Sequence, residues 1–181
     1  MDIFYEQFLQ EMGGGTDIHE HIIDEFKGAS YGHRRQYKIT GSGLRLVYKS
    51  FELQTNEYHL APYTEYTQDE IGDHNSVEPD FMIFDNTKYI MNKSRSKIAG
   101  QPLFAVEVWS KSNTKRDRFL KRFLYSTSPV TEHWYLEQNS NEIECFLGKK
   151  QLQNKSLTEV CETTFGLKLD LRKIAIENRW F

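Results

Sequence analysis

Long apolar runs are missing from this chain of 181 residues. No stretch is long and hydrophobic enough to span a bilayer, and the first residues, MDIFYEQFLQEM, are acidic and amphipathic, unlike a secretory signal. Cysteine is scarce: Cys145 and Cys161 have neither metal-ligand spacing nor the density of a disulfide framework, so a reduced, cytoplasmic setting is expected. There is no G-x-S-x-G elbow, no dinucleotide fingerprint and no phosphate-cradling loop. Gly13-Gly14-Gly15 precedes a helix but lacks the Lys-Ser/Thr of a nucleotide site, and reads as a flexible turn. Repeats and low-complexity tracts are absent. Strong charge of either sign is absent too, the formal net charge being −3, which on its own argues against a general nucleic-acid binder.

Aromatics and locally concentrated charge are plentiful. Ten Tyr and twelve Phe supply core volume without many aliphatics, and the length suits one domain with or without a short extension. Basic residues gather in two runs: Lys88, Lys93, Arg95 and Lys97, then Lys111, Lys115, Arg116, Arg118, Lys121 and Arg122. A charge run is often no more than a solvated face, but these two bracket the most unusual part of the sequence.

Hydrophobic periodicity outlines the elements. Ile3, Phe4, Phe8 and Met12 recur at helical spacing, which predicts a short N-terminal helical extension over residues 1–15, broken by the glycines. Thr16 or Asp17 can cap a second helix with Ile18, Ile22, Ile23 and Phe26 on one stripe and Gly28 as its stop. Residues 16–181 then form a single domain. The pattern turns to β from about Gln36 to Thr67, and Asp80-Phe81-Met82-Ile83-Phe84 reads as a strand entered through Pro79. Leu103 to Trp109 is almost continuously apolar, as a strand covered on both faces should be. A helix with Phe119, Leu120, Phe123 and Leu124 on one side follows, then strands at His133–Leu136 and Ile143–Leu147, while Leu167, Leu169 and Leu171 alternate as a strand or docking segment would. The order implies an α/β fold: a mixed central β-sheet flanked by helices.

Glu107 interrupts the apolar strand. A carboxylate there is costly unless it is paired or binds a metal. Asp80 opens the preceding strand, and if the two strands are neighbours their carboxylates converge at one end of the sheet. Two carboxylates, a backbone carbonyl and waters satisfy a hard cation such as Mg²⁺, which can generate a nucleophilic hydroxide and stabilise charge on a phosphate. Removing Glu107 is expected to leave the fold as stable as before, or more so, in the absence of metal, because a buried charge without its metal is a cost. The plainer alternative is that Asp80 and Glu107 pair with Lys or Arg in a structural domain.

These residues also carry a family resemblance. Glu78-Pro79-Asp80 followed by Val106-Glu107-Val108 resembles the PD-(D/E)XK nuclease motif. Val106-Glu107-Val108-Trp109-Ser110, then Asp117, Lys121 and Tyr125, then Glu132-His133-Trp134, is similar to the Uma-two family of restriction-endonuclease-like proteins, whose pattern runs VEVxS, D-x-x-x-K-x-x-x-Y, EYW. The likeness covers about residues 16 to 175. It implies a restriction-endonuclease-like core and Mg²⁺-dependent phosphodiester hydrolysis, with Mn²⁺ as a substitute. It further implies nucleic acid, DNA first, as the partner, with Asp80, Glu107 and the Val108 carbonyl as metal ligands. A homodimer is compatible with it. So is a nuclease-fold protein that is inactive and serves as a nucleic-acid or protein binding module.

One position departs from the superfamily. The Lys usually found two residues after the strand carboxylate, on the same face of the strand, is Trp109 here. Lys121 matches the Uma-two pattern and is the preferred replacement; Lys111, one pleat beyond Trp109, is the other. The bland role for Lys121 is an ion pair with Asp117 at i, i+4, worth about a few tenths of a kcal/mol. The first helix often adds a polar residue to such sites, which makes His19, Glu20 and Asp24 candidates against the alternative of a wet helix face. His19 and His21 point in different directions on a helix, which disfavours zinc.

Overall fold

The computed structural model describes residues 14–47, 76–91, 95 and 97–178. The first helix, α1 (Gly14–Ser30), leads through a 3-10 turn at Tyr31–His33 into strand β1 (Tyr37–Thr40). Next come β2 (Arg45–Val47), β3 (Ser76–Val77), β4 (Phe81–Asp85), β5 (Tyr89–Met91), β6 (Lys97–Gly100) and β7 (Phe104–Trp109). After helix α2 (Lys115–Ser126) the chain forms β8 (Glu132–Glu137), β9 (Glu142–Leu147), β10 (Lys150–Gln151), β11 (Lys155–Ser156), β12 (Val160–Glu162) and β13 (Lys168–Asp170). Among the described residues a seven-stranded sheet has the order β1-β4-β7-β8-β9-β10, with β11 also on β9; a second sheet runs β3-β2-β6-β5, and β12 pairs β13.

Only β7 and β8 run parallel in the large sheet; its other pairings are antiparallel. A parallel pair needs a crossover, and α2 supplies it. The sheet is therefore mixed, as expected. Its two faces take alternate residues of each strand. Phe81, Ile83, Phe104, Val106, Val108, Trp134 and Leu136 pack with Ile22, Ile23 and Phe26 of α1 and with Leu167, Leu169 and Leu171. Met82, Phe84, Ala105, Trp109 and Tyr135 pack with Phe119, Phe123, Leu124 and Tyr125 of α2 and with Leu46 and Ile98 of the second sheet. The alternation at Leu167–Leu171 is thus a buried strand edge under α1.

The glycines behave differently from expectation. Gly14 and Gly15 lie inside the first turn of α1, so the helix starts ahead of the expected Thr16 or Asp17 cap, and it passes Gly28, the expected stop, to end at Ser30. Gly28 is exposed, but Ala29 packs on the core and Ser30 is buried with its hydroxyl donating to the Phe26 carbonyl at 2.7 Å. Those contacts carry the helix across a residue that costs about 1 kcal/mol of propensity. The expected 1–15 extension lies outside the described residues up to position 13, and the β pattern expected beyond Val47, from residue 48 to Thr67, does so too.

Candidate metal centre

Register builds the site. β4 and β7 pair antiparallel with Phe81 opposite Val106, which sets Asp80, just before β4, opposite Glu107. Asp80 bonds β7 directly: the Val108 N–H donates to its Oδ2 at 2.8 Å. The Trp109 carbonyl accepts from Gln138 on the β8 side. Alternation along the strand then turns the Val108 N–H and C=O together toward Asp80.

Helix α2 brings the third component. Thr114 caps it, in a reciprocal box with Asp117. Asp117 is committed there, and Lys121, one helical turn on, makes its direct contacts elsewhere. The Lys121 Nζ lies 2.5 Å from Glu107 Oε2 and donates to the Glu78 carbonyl at 3.0 Å. The i, i+4 pair with Asp117 is therefore not the contact that orients Lys121. Lys111 is exposed in the turn after β7. One further turn along α2, the buried Tyr125 hydroxyl donates to Glu107 Oε1. The sequence pattern contained Tyr125 without a role; its spacing of four from Lys121, on the stripe that faces β7, is the signal that connects both to one carboxylate.

Glu107 is 1% exposed, and burial pushes its carboxyl up to about 8. The Lys121 ammonium and the hydrogen bonds from Lys121 and Tyr125 oppose that rise, and Asp80 adds to it. Desolvation works against the charged Lys121 amine, but Glu107 and Asp80 outweigh it and the amine is raised. The cluster thus holds its protons tightly and behaves as one electrostatic unit spanning Asp80, Glu107 and Lys121. Because Glu107 is paired, its removal would leave a part-buried ammonium and a buried phenol each short of an acceptor, which argues against the expectation that it would cost the fold nothing.

On the α1 side, His19 Nε2 lies 3.2 Å from Asp80 Oδ1 and His19 Nδ1 3.4 Å from Glu20 Oε1. The hydrogen bond to Asp80 raises the His19 pKa, against desolvation. Glu20 is half-exposed and accepts from Ser42 at 3.4 Å. Asp24 faces outward to Lys27 at 3.1 Å. Of the three helix candidates, only His19 touches the acidic pair.

Trp109 shares the Glu107 face, as strand alternation requires, and is buried. Its ring stacks on Tyr135 at 5.4 Å, with the Lys121 ammonium 5.8 Å and the Arg118 guanidinium 5.2 Å from its centroid. The position that usually carries the lysine is thus an aromatic wall beside a lysine supplied by α2.

The donor set suits a hard cation in kind: two carboxylates and a carbonyl, all oxygen. Each carboxylate oxygen has one protein partner in the structure, and a carboxylate oxygen can accept at a second lone pair. Asp80, Glu107 and the Val108 carbonyl are the groups that would hold such a cation. Among the described residues no group of three or more His, Cys, Asp or Glu side chains is arranged to bind a metal.

The α2 basic run is largely committed within the fold. Arg118 pairs with Glu137 and also donates to the Ser110 carbonyl at 3.1 Å, and Arg122 pairs with Glu144 at 3.0 Å while lying over Tyr135. These two arginines brace the helix on β8 and β9.

A family model described as "Putative restriction endonuclease", Uma2, matches residues 8–172. The chain belongs to the Uma2 family. Among solved structures it is similar to "a putative nuclease belonging to DUF820" from Anabaena variabilis ATCC 29413, at 9% identity and a TM-score of 0.54, over 88% of this chain and 80% of that one. At that identity the likeness establishes the nuclease-like α/β fold. No curated protein matches the Uma2 chain. No helix among its described residues is long and apolar enough to cross a membrane.

Proposed function

We propose that this Uma2 chain is a divalent-cation-dependent endonuclease that hydrolyses phosphodiester bonds in DNA. In this reading Asp80, Glu107 and the Val108 carbonyl hold Mg²⁺, or Mn²⁺ in its place, and Lys121 faces the reacting phosphate. One observation carries it: strand register opposes two carboxylates, and a lysine from the crossover helix bonds one of them, Glu107, within the field of the other, Asp80. Membership of a family described as a restriction endonuclease supports it. When bound, the cation supplies Lewis acidity and a nucleophilic hydroxide.

The chain's own groups do the positioning. Tyr125 and Lys121 take one Glu107 oxygen each, which fixes the carboxylate before substrate arrives, and Val108 and His19 do the same for Asp80. Lys121, tethered also to the Glu78 carbonyl, carries a positive charge at the mouth of β4 and β7, where it can neutralise charge developing on a phosphate oxygen. Burial of Glu107 keeps water from screening these charges.

A second reading has its own observation. All four oxygens of Asp80 and Glu107 have protein partners, so the cluster satisfies itself without a cation, as a nuclease-fold binding module would. Nicking of supercoiled plasmid in Mg²⁺ or Mn²⁺ separates the two. Cation-dependent nicking by the native chain, absent in Glu107→Gln, is the expected result. Equal nicking by both points to a contaminant. No nicking by either, with nucleic-acid binding retained, favours the module.

A further inference from the structure

The segment Tyr31-Gly32-His33-Arg34-Arg35-Gln36-Tyr37-Lys38 joins α1 to β1 and contains no acid. Every residue from Tyr31 to Gln36 is exposed, and Tyr31, at 62%, is the most exposed large hydrophobic among the described residues. The Arg34 guanidinium lies over its ring at 4.3 Å and donates to the Tyr31 carbonyl at 3.2 Å. The turn is held in place: Gln36 N–H donates to the His33 carbonyl at 3.0 Å, and Asn86 donates its side-chain amide to the Arg35 carbonyl at 2.8 Å. Tyr37 turns inward onto Phe165.

The basic residues here differ from those of α2. Among the described residues none of Arg34, Arg35 and Lys38 has an ion-pair partner, whereas Arg118, Lys121 and Arg122 all do. The nearby acid in the register is Asp85, opposite Tyr37, and it is engaged by Thr87 and Lys88. Two cations without an ion-pair partner among the described residues, Arg34 over the exposed aromatic ring and Arg35 next to it in the same turn, match one kind of ligand well. Phosphates pair with the cations, and an unstacked base lies on the ring or the guanidinium plane.

We propose that Tyr31, Arg34 and Arg35 form a second contact site for single-stranded DNA, separate from the metal centre. It rests on the reading of the chain as a DNA-acting protein and extends it to the form of DNA engaged. β4 sets the separation: Asp80 stands at its start and Asp85, opposite Tyr37, at its end. Five residues of strand span roughly 17 Å. A strand held on Tyr31 would therefore reach the metal centre a few nucleotides away.

The test is fluorescence anisotropy of a labelled single-stranded oligonucleotide with the full chain in EDTA, where cation-dependent cutting cannot occur. Tyr31→Ala should weaken binding roughly ten-fold, the loss of one stacked base, and leave the salt dependence unchanged. Arg34→Ala with Arg35→Ala should reduce the slope of log affinity against log salt by about 1.4, two phosphate contacts on a single strand. Thermal melts of these surface variants should match the native chain. Unchanged affinity and slope in both variants would overturn the proposal, as would a native chain that does not bind the oligonucleotide, or one for which duplex competes equally and Tyr31→Ala changes nothing. The nuclease reading fails separately: a native chain that binds through Tyr31 but does not nick plasmid keeps this site and loses the catalytic one. One that nicks while its Tyr31 and Arg variants bind normally does the reverse.

Discussion

Two glutamates, Glu107 on β7 and Glu132 on the neighbouring β8, are about equally buried, at 1% and 0% exposure. Their partners differ in kind. Glu132 accepts from the Trp134 indole at 2.7 Å and from the Thr164 amide and hydroxyl at 2.5 and 2.6 Å. All three donors are neutral, and they tie β8 to the loop before β13. Glu107 instead meets an ammonium and a phenol, with a second carboxylate across the strand pair. Burial alone therefore does not mark a functional acid. A closed set of neutral donors makes a clamp; an ammonium and a facing carboxylate make a cluster whose members carry and feel charge.

Substitution should separate the two. Glu107→Gln should remove cation-dependent nicking below detection while the chain still folds, because glutamine retains an acceptor for Tyr125. Glu132→Ala should leave nicking intact at low temperature but lower stability by roughly 3 kcal/mol, since buried indole and amide donors lose their acceptor at about 1–3 kcal/mol each. Urea melts paired with the plasmid assay read both. Loss of activity without loss of stability in Glu132→Ala would erase the distinction.

Glu107→Ala sharpens the comparison from the stability side. In EDTA it should cost about 3–5 kcal/mol, the penalty for leaving one partner of a buried pair. Adding Lys121→Met should recover part of that, because it removes the orphaned charge while the Tyr125 hydroxyl still lacks its acceptor. A Glu107→Ala chain as stable as the native one would mean that Lys121 reaches water on its own.

A third buried polar side chain on β8 gives a smaller, pH-dependent effect. His133 Nε2 donates to the Gly148 carbonyl at 2.8 Å, so its Nδ1 accepts from the Tyr135 hydroxyl at 2.6 Å in the neutral ring. Burial lowers its pKa from 6.5 to about 4. The unfolded chain therefore binds the proton more readily than the folded one. The contribution is complete above about pH 6.5 and is lost as pH falls toward 4, by roughly 3 kcal/mol in total. Urea midpoints of the native chain and His133→Gln should converge over that window; parallel curves would show that another group titrates.

The features that sequence reveals are those with a period or a contrast. The apolar run of β7 makes Glu107 conspicuous, and Asp80 joins it if β4 and β7 are neighbours; the match to the Uma2 pattern, rather than a periodicity, singles out Lys121. Glu132 opens its strand, where an acid contrasts with nothing, so its burial was not readable. Arg118 and Arg122 looked like part of a phosphate-binding run because a sequence does not say which acids a long side chain will meet; Glu137 and Glu144 lie on strands brought under α2 only by the sheet order. The unpaired cations at Arg34 and Arg35 were passed over for the same reason. Strands of two or three residues, such as β10 to β12, are shorter than any period that would announce them, and the glycines of α1 were overruled by Ile22, Ile23, Phe26 and Ala29.

The central claim is that Asp80 and Glu107 together bind a divalent cation. Isothermal titration of the full chain with Mn²⁺ tests it without requiring the right substrate. The account predicts uptake of a single Mn²⁺ by the native chain, abolished in both Asp80→Asn and Glu107→Gln and retained in Glu132→Gln. Absence of uptake by the native chain, or equal uptake by all of them, would contradict it.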